Sequence, residues 1–162
     1  MLRIISGGQS GVDRAALDVA IALGLPYGGW CPRGGWAEDM PEPPGLLARY
    51  PQLAATPLAD PQQRTRWNVR DSDATLIVTS AGAVSAGTAL ALATVFELDR
   101  ELALIDAARR ADALGDALAM LEKLPEHGSL NVAGPRESEA PGIYEAAVEL
   151  LGELLAESRG DV

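Results

Sequence analysis

Residues 2–23 read LRIISGGQSGVDRAALDVAIAL, and this stretch decides the fold class. The apolar run Leu2–Ser6 stops at a glycine, which is typical of a short strand buried inside a parallel sheet. Within Asp13–Leu23 the apolar residues recur at helical spacing, and Gly24 and Pro26 follow as a stop signal. Strand, tight glycine loop and helix together predict the first half of a βαβ unit.

The same alternation returns in the second half of the chain. Short apolar runs predict further strands at Ala74–Thr79, Leu102–Ile105 and Ser129–Val132. Helical patterns predict helices at 61–70, 87–98, 107–124 and 142–155. This alternation predicts an α/β fold: a single Rossmann-like open parallel sheet of about five strands, with helices on both faces.

An irregular insertion over about 28–61 breaks the alternation. The segment Tyr27–Pro61 is rich in proline, glycine and tryptophan, and it predicts a short strand followed by a long excursion. Irregular segments of this length inside compact domains are commonly functional loops or lids. The length of 162 residues predicts one ligand-binding domain over 1–162, and we expect the tail after 156 to be disordered.

The composition argues against several classes of function. The formal net charge is −10, and acidic surfaces repel nucleic-acid phosphates, so we expect no nucleic-acid partner. One cysteine and one histidine rule out an internal disulfide and a Cys/His zinc site, and we expect no metal site. No apolar run approaches the ~18 residues of a membrane span, and the first residues lack the pattern of a secretory signal. We therefore expect a cytoplasmic protein without a membrane partner.

Three glycine-containing loops follow predicted strands and precede predicted helices: Ser6–Asp13, Ser80–Thr88 and Ala133–Pro141. In open α/β sheets, ligands bind outside the carboxyl ends of the strands, where such loops lie. The free N–H groups and the positive dipole end of each following helix suit an anion at that edge. We therefore expect a small phosphate-bearing or oxyanion ligand to bind there.

The first loop provides many of the candidate ligand-binding residues. Its glycines let a ligand approach the backbone without interference from a Cβ atom, although an ordinary βα turn is the alternative interpretation. Arg14 is unfavourable beside the helix dipole unless it meets an anion, whereas Asp13 also suits plain helix capping. The loop has neither the Gly-Lys-Ser/Thr of a P-loop nor the Gly-x-Gly-x-x-Gly of dinucleotide-binding proteins. Its candidates are Gly7, Gly8, Gln9, Ser10, Gly11, Asp13 and Arg14.

The other two loops add hydroxyl groups and an arginine. Ser85 and its neighbours can present backbone N–H groups to an anion, and capping of the next helix is the alternative for Ser85. Arg136 has a planar donor fork suited to phosphate, and a surface ion pair with Glu137 or Glu139 is its alternative. The candidates in these loops are Ser80, Ser85, Gly87, Thr88, Gly134, Arg136 and Ser138.

Several blocks of sequence resemble one known family, in order along nearly the whole chain. The first block, 4–18, begins Ile-Ile-Ser-Gly-Gly-Gln-Ser-Gly-Val-Asp-Arg. The later blocks are 29–34, 64–69, 71–77, 130–138 and 141–144. Together they resemble the putative molybdenum carrier family, which is part of a Rossmann-like group with the lysine-decarboxylase-like proteins and the nucleotide-ligand-sensing SLOG superfamily.

The resemblance implies a carrier-like protein whose bound ligand is a nucleotide or the molybdenum cofactor. It adds Arg33 and Asn68 to the candidate ligand-binding residues, and it implies a homodimer or homotetramer.

One departure from the pattern of these relatives bears on catalysis. Phosphoribohydrolase relatives carry Pro-Gly-Gly-x-Gly-Thr-x-x-Glu, and Ala91 stands where that glutamate would be. Since alanine cannot do acid–base work, the departure favours binding over catalysis.

Two alternatives stay open. The first is a nucleotide N-glycosidase or phosphoribohydrolase with a relocated carboxylate, for which the candidates are Asp13, Glu38 and Asp71. The second is a regulatory protein that senses a nucleotide. Catalysis by Cys31 with His127 is disfavoured, because His127 falls on a loop at the opposite edge of the predicted sheet.

Overall fold

Six parallel strands form one sheet in the order β3-β2-β1-β6-β4-β5. The structure is a computed structural model that describes residues 1–82 and 84–158, apart from the side chains of 110–113. The strands are β1 (Arg3–Ile5), β2 (Tyr27–Cys31), β3 (Leu53–Ala55), β4 (Ala74–Thr79), β5 (Glu101–Asp106) and β6 (Ser129–Ala133). The helices are α1 (Val12–Ala22), α2 (Leu46–Arg49), α3 (Pro61–Arg70), α4 (Ala86–Glu97), α5 (Arg110–Glu122) and α6 (Ile143–Glu157). A short 3₁₀ turn, Ala107–Arg109, precedes α5.

The predicted α/β class, with an open parallel sheet and helices on both faces, is confirmed. The strand that the sequence did not predict is β3, which lies inside the segment expected to be irregular. Leu53 is its one buried side chain, whereas Ala54 and Ala55 are exposed, so the segment has no apolar pattern. Backbone pairing of Gly29 in β2 with Leu53 places this strand instead.

Each face of the sheet has its own hydrophobic core, because side chains alternate along a strand. On β4, Leu76 and Val78 belong to the larger core, together with α1, α5 and α6. Ile77 belongs to the smaller core on the other face, where it packs with Val69 of α3 and Ala91 of α4. The strand is consequently buried along its whole length.

The course of the chain brings three loops together. The chain runs outward from β1 to β2 and β3, crosses to β4 and β5, and returns to place β6 between β1 and β4. Asn131 of β6 is the register partner of both Ile5 and Thr75. Because the strands are parallel, the loops that follow β1, β4 and β6 leave the same edge of the sheet side by side.

Met1 and Ser158, the residue after α6, lie together at the other edge. The Met1 amino group donates to the carbonyl oxygen of Glu126 at 2.5 Å and lies 2.9 Å from Nδ1 of His127. Helix α6 ends at Glu157, and residues 159–162 of the tail that we expected to be disordered lie outside the described residues. None of the described helices is long and apolar enough to cross a membrane.

The first prediction concerns the stability of a variant at Gly29. Its φ angle is +128°, and a Cβ atom there would collide with the backbone of Ser6. We expect Gly29→Ala to lower the free energy of unfolding by more than about 2 kcal/mol, because strain and collision both involve backbone. Urea unfolding followed by circular dichroism measures the change.

Gly115→Ala is the matched control for Gly29→Ala. A Cβ atom on Gly115, within α5, meets no atom of the described residues within 4 Å. Alanine should therefore raise the free energy of unfolding by about 0.5–1 kcal/mol through its helix propensity. A Gly29→Ala protein as stable as the wild type would contradict the close approach of β2 to Ser6.

Candidate ligand-binding cleft

The loop after β1 is packed against protein at its glycine-rich turn. Gly11 has a φ angle of +80°, and a Cβ atom there would collide with the backbone of Pro135 and approach that of Glu137 at 2.8 Å. The N–H of Val12, the first residue of α1, donates to the carbonyl oxygen of Pro135 at 3.3 Å. The β6–α6 loop therefore covers the start of α1, and Gly11 permits that contact.

Arg14 meets its anion within the chain. Its Nη1 and Nη2 atoms each lie 2.9 Å from a carboxylate oxygen of Asp39, and its Nε donates to the carbonyl oxygen of Gly8 at 3.0 Å. The Arg14 side chain is only 6% exposed. Hydrogen bonds from Arg14 lower the pKa of Asp39, so the pair is ionised near neutral pH. The unfavourable position of an arginine in the first turn of α1 is thereby compensated.

Glu38 ties the irregular segment to two of the loops. It accepts hydrogen bonds from the hydroxyl groups of Ser10 and Ser138, the latter at 2.6 Å. Its Oε2 also lies 3.7 Å from Nη1 of Arg136. Partial burial works against ionisation of Glu38, but these hydrogen bonds outweigh burial and lower its pKa. The carboxylate therefore links the loops that follow β1 and β6 through hydrogen bonds.

An open cleft of about 510 Å³ lies beside this packed region. Its walls come from the end of β6, the first turns of α3 and α4, and one side of the β1–α1 loop. The structure brings together there the candidate residues Gln9, Asp13, Ser85, Gly87, Thr88, Gly134 and Arg136.

A buried ion pair between Asp13 and Arg64 forms part of the cleft wall. Nη1 of Arg64 donates to Oδ2 of Asp13 at 2.8 Å, and the Arg64 and Asp13 side chains are 14% and 5% exposed. The carboxylate also accepts hydrogen bonds from the backbone N–H groups of Gln9 and Gly134. Burial raises the pKa of Asp13, and Arg64 opposes that rise. The pair joins the loops after β1 and β6 to the start of α3.

One nitrogen of the Arg64 guanidinium group lacks a hydrogen-bond partner among the described residues. Its Nε atom is buried and makes no hydrogen bond with any described residue. Buried polar atoms in native proteins almost always have a partner, so such an atom indicates a place for a water, an ion or a ligand. Gly7 permits this position, because a Cβ atom there would collide with Arg64.

Gln9 contributes a second donor to the cleft. Its Oε1 atom accepts the backbone N–H groups of Ser10 at 3.0 Å and Glu38 at 2.9 Å. These two bonds identify the oxygen end of the side-chain amide, and they leave the NH₂ end as a donor beside the cleft.

The start of α4 contributes backbone donors. Ser85 accepts a hydrogen bond from the backbone N–H of Thr88 at 3.2 Å, which is the capping interaction considered for it from the sequence. The N–H groups of Ala86 and Gly87 have no acceptor within the helix, and both residues line the cleft. The first turn of α4 therefore suits a negatively charged group.

Several candidate residues have other surroundings. Asn68 clamps β2, since its side chain accepts the N–H of Trp30 at 2.7 Å and donates to the Trp30 carbonyl oxygen at 3.0 Å. Asp71 accepts hydrogen bonds from Arg70, which lower its pKa, and from the indole of Trp30 at 2.8 Å. Arg33 donates to a backbone carbonyl at 3.4 Å. The candidates Gly7, Gly8, Ser10, Gly11, Arg14, Ser80 and Ser138 are also outside the cleft lining.

Several residues of the cleft lining were not among the sequence candidates, and they include Trp36, Arg64 and Thr65. Locally, Arg64 looks like Arg66, which is about half exposed and pairs with Glu97. Nothing in a ten-residue helix tells which arginine meets a buried carboxylate from another element. The sequence signal that could have identified Arg64 is the block 64–69, which carries part of the family resemblance.

Ala91 lies in the smaller core rather than in the cleft. It is 1% exposed and packs with Val69, Ile77 and Val95. The position that carries the glutamate in phosphoribohydrolase relatives is thus an apolar packing position in this chain.

The described side chains build no metal centre. No group of three or more His, Cys, Asp or Glu among them could hold a metal ion. Cys31 is buried, and burial raises the pKa of its thiol, which makes it a poor nucleophile. The cleft therefore offers hydrogen-bond donors, from Arg64, Gln9 and the start of α4, more than it offers ligands for a cation.

Comparisons with known proteins give one family and one similar structure. The circularly permutated YpsA SLOG family matches residues 4–155. The chain is also similar to the crystal structure of a putative molybdenum carrier protein from Syntrophus aciditrophicus SB, with 40% sequence identity and a TM-score of 0.81. That alignment covers 95% of this chain and 94% of the other. No curated protein matches the chain.

A change at Ala91 tests whether the catalytic glutamate could be restored. We expect Ala91→Glu to lower the free energy of unfolding by at least about 3 kcal/mol, because the new carboxylate would be buried among apolar side chains without a partner. Thermal or urea unfolding measures the loss. Ala119→Glu, at an exposed position within α5, is the control and should change stability by less than about 0.5 kcal/mol. A stable Ala91→Glu protein would place this position beside the cleft instead.

Proposed function

Because the chain belongs to the circularly permutated YpsA SLOG family, we propose that it is a carrier-like protein that binds an oxyanion or a phosphate-bearing ligand in the cleft. The ligand classes that fit are a nucleotide, the pterin phosphate of molybdenum cofactor, or a small oxyanion such as molybdate. The relative named a putative molybdenum carrier protein supports the carrier class for this chain by similarity.

The observation that carries the proposal is the unpartnered Nε of Arg64. Asp13 holds one edge of the guanidinium group at 2.8 Å and so orients it. A planar donor fork that is already oriented binds an oxyanion without losing much side-chain entropy. Arg64 is the main anion-binding residue in this proposal.

Arg136 is a weaker candidate for binding the anion than Arg64. Its Nε atom is engaged with Glu139 at 2.8 Å, and its Nη1 lies 3.7 Å from Glu38. These carboxylates already neutralise most of its charge. Arg136 therefore serves mainly to hold the β6–α6 loop, and its contribution to the ligand is secondary.

The start of α4 supplies positive potential where the charged side chains carry one net negative charge. The cleft lining contains Arg64 and Arg136 but also Asp13, Asp60 and Glu139, and the Asp60 carboxylate caps the start of α3. Helix α4 adds the equivalent of roughly +0.5 charge at its first turn. The backbone donors at the start of α4 are therefore the second group that binds the anion in this proposal.

Trp36 and the size of the cleft favour an organic ligand over a bare ion. Trp36 is partly buried and lines the cleft, where its ring can pack on a flat heterocycle. A volume of about 510 Å³ falls in the range of pockets for small organic ligands. This combination fits a nucleotide or a pterin whose phosphate reaches Arg64.

A second candidate function rests on Asp13. Of the three carboxylates considered for catalysis, Asp13 lines the cleft and has a raised pKa, whereas Glu38 and Asp71 are held by other side chains outside the lining. An N-glycosidase would use Asp13 on a nucleotide bound in the cleft. Release of free base from nucleoside monophosphates, lost in Asp13→Asn, would favour this function. Binding without turnover would fit the carrier or a nucleotide-sensing protein.

Replacement of Arg64 tests the binding proposal. Isothermal titration calorimetry with molybdate, inorganic phosphate and adenosine monophosphate gives the affinity of the wild-type protein for each. We expect Arg64→Gln to weaken the tightest of these at least tenfold, because it removes a charged donor, worth about 1.5–3 kcal/mol. Arg64→Lys keeps the charge beside Asp13 but loses the fork, and it should weaken binding while preserving the fold.

Arg66→Gln is the matched control, because Arg66 lies on the same helix and is about half exposed. It should leave the affinity unchanged. The proposal fails if the wild-type protein binds none of the three probes, or if Arg66→Gln weakens binding as much as Arg64→Gln.

A further inference from the structure

The outer side of α4 is apolar where a surface helix normally carries charge. No charged residue occurs from Ala86 to Phe96. Ala86, Ala89 and Ala93 are exposed, and Phe96 is 74% exposed. A helix that is apolar on both sides is normally buried on both sides, and the smaller core covers only the side with Ala91.

The apolar surface continues from α4 to β5, the last strand of the sheet. Leu102 packs against the smaller core, so Leu104, two residues further on, projects from the same face of the sheet as α4. Leu104 is 49% exposed and Leu98, just after α4, is 40% exposed. We call the exposed residues Ala86, Ala89, Ala93, Phe96, Leu98 and Leu104 the α4 face.

We propose that the α4 face is the contact surface for a second copy of this chain, packed with the two α4 helices antiparallel about a two-fold axis. The proposal does not depend on the identity of the ligand. It is argued from the spacing of the exposed residues, from the charges that border them and from the area that they offer.

The spacing of the exposed residues is self-complementary. The intervals between Ala86, Ala89, Ala93 and Phe96 read the same in both directions along the helix. An antiparallel two-fold pair consequently sets Ala89 against Ala93 of the second copy, and Phe96 against Ala86. Small residues at the centre let helix axes approach closely, and the large ring at each end packs on a small residue. An unrelated partner would not require this symmetry.

The border of the face is electrically neutral. Arg66 and Glu97 form an ion pair of 3.2 Å there, and both side chains are about half exposed. The whole chain has a net charge of −10, so two copies repel each other over most of their surface. A neutral apolar face permits contact between identical acidic chains. A basic partner protein would instead bind more strongly to an acidic face.

The area indicates a dimer of moderate affinity. A helix of this length spans roughly 18 Å, and one face of a single helix this short offers less area than the ~800 Å² per partner of a standard interface. Leu98 and Leu104 widen the surface towards that size. We therefore expect self-association in the micromolar range, and concentration must be varied to observe it.

The second copy would also border the cleft. Ala86 and Leu90 of α4 line the cleft, and Ala86 lies opposite Phe96 of the second copy in the antiparallel arrangement. The dimer would thus extend one wall of the cleft with an aromatic ring.

Sedimentation velocity without any ligand tests the proposal, from low micromolar to several hundred micromolar protein. We expect a reversible monomer–dimer equilibrium for the wild type and at least tenfold weaker self-association for Phe96→Glu. Ile21→Glu is the matched control, because Ile21 is an exposed apolar residue on another helix, at 49% exposure. It should dimerise like the wild type. Circular dichroism melting of each variant shows whether its fold is retained.

Cysteine cross-linking tests the antiparallel arrangement. On mild oxidation, a mixture of Ala89→Cys and Ala93→Cys chains should form disulfide-linked heterodimers, because these positions face each other. Ala86→Cys chains alone should not cross-link, because their partner position is Phe96. A wild type that stays monomeric at every concentration, a folded Phe96→Glu that dimerises normally, or cross-linking of Ala86→Cys chains in place of the mixture would overturn the proposal.

Discussion

Burial of the Asp13 carboxylate is the constraint on which the arrangement of the cleft depends. A buried carboxylate is destabilising unless it is paired and hydrogen-bonded. Here the partners come from three elements: Arg64 from α3, and the backbone N–H groups of Gln9 and Gly134 from two loops. Satisfying one charge therefore aligns the loops after β1 and β6 with the start of α3. The same requirement keeps residue 7 a glycine, because Arg64 occupies the space of its Cβ atom.

The chain compensates the positive end of α1 with its own groups. Arg14 is paired with Asp39, Ser10 is held by Glu38, and the N–H of Val12 meets the carbonyl oxygen of Pro135. Two of these groups come from the segment between β2 and α2, for which the sequence predicted a functional loop or lid. With the start of α1 occupied in this way, the donors left for a ligand are those of Arg64, Gln9 and the start of α4.

Helix α4 takes part in the cleft, in the smaller core and in the exposed apolar surface, because each of its sides has different surroundings. Its first turn borders the cleft, and Ser85 caps it. The side with Ala91 closes the smaller core, where a glutamate would be an unpaired buried charge. Its outer side carries Phe96 into solvent. A surface helix without charged residues exposes apolar side chains to water unless another protein surface covers its outer side.

The sequence by itself determined the α/β class, the parallel sheet and the meeting of three loops at one edge, because strand and helix periods and glycine stops are local properties. The family resemblance also implied that Ala91 stands where phosphoribohydrolase relatives carry a glutamate. Tertiary structure alone decided which candidates share a cleft. Arg14 and Arg64 are both arginines near the start of a helix, yet Asp39 pairs with Arg14, whereas the buried Nε of Arg64 has no hydrogen-bond partner among the described residues. Strand β3 is likewise placed by backbone pairing with β2 and not by any apolar pattern. Ion pairs and strand pairing join residues that are distant in sequence, so their partners become known only when the chain has folded.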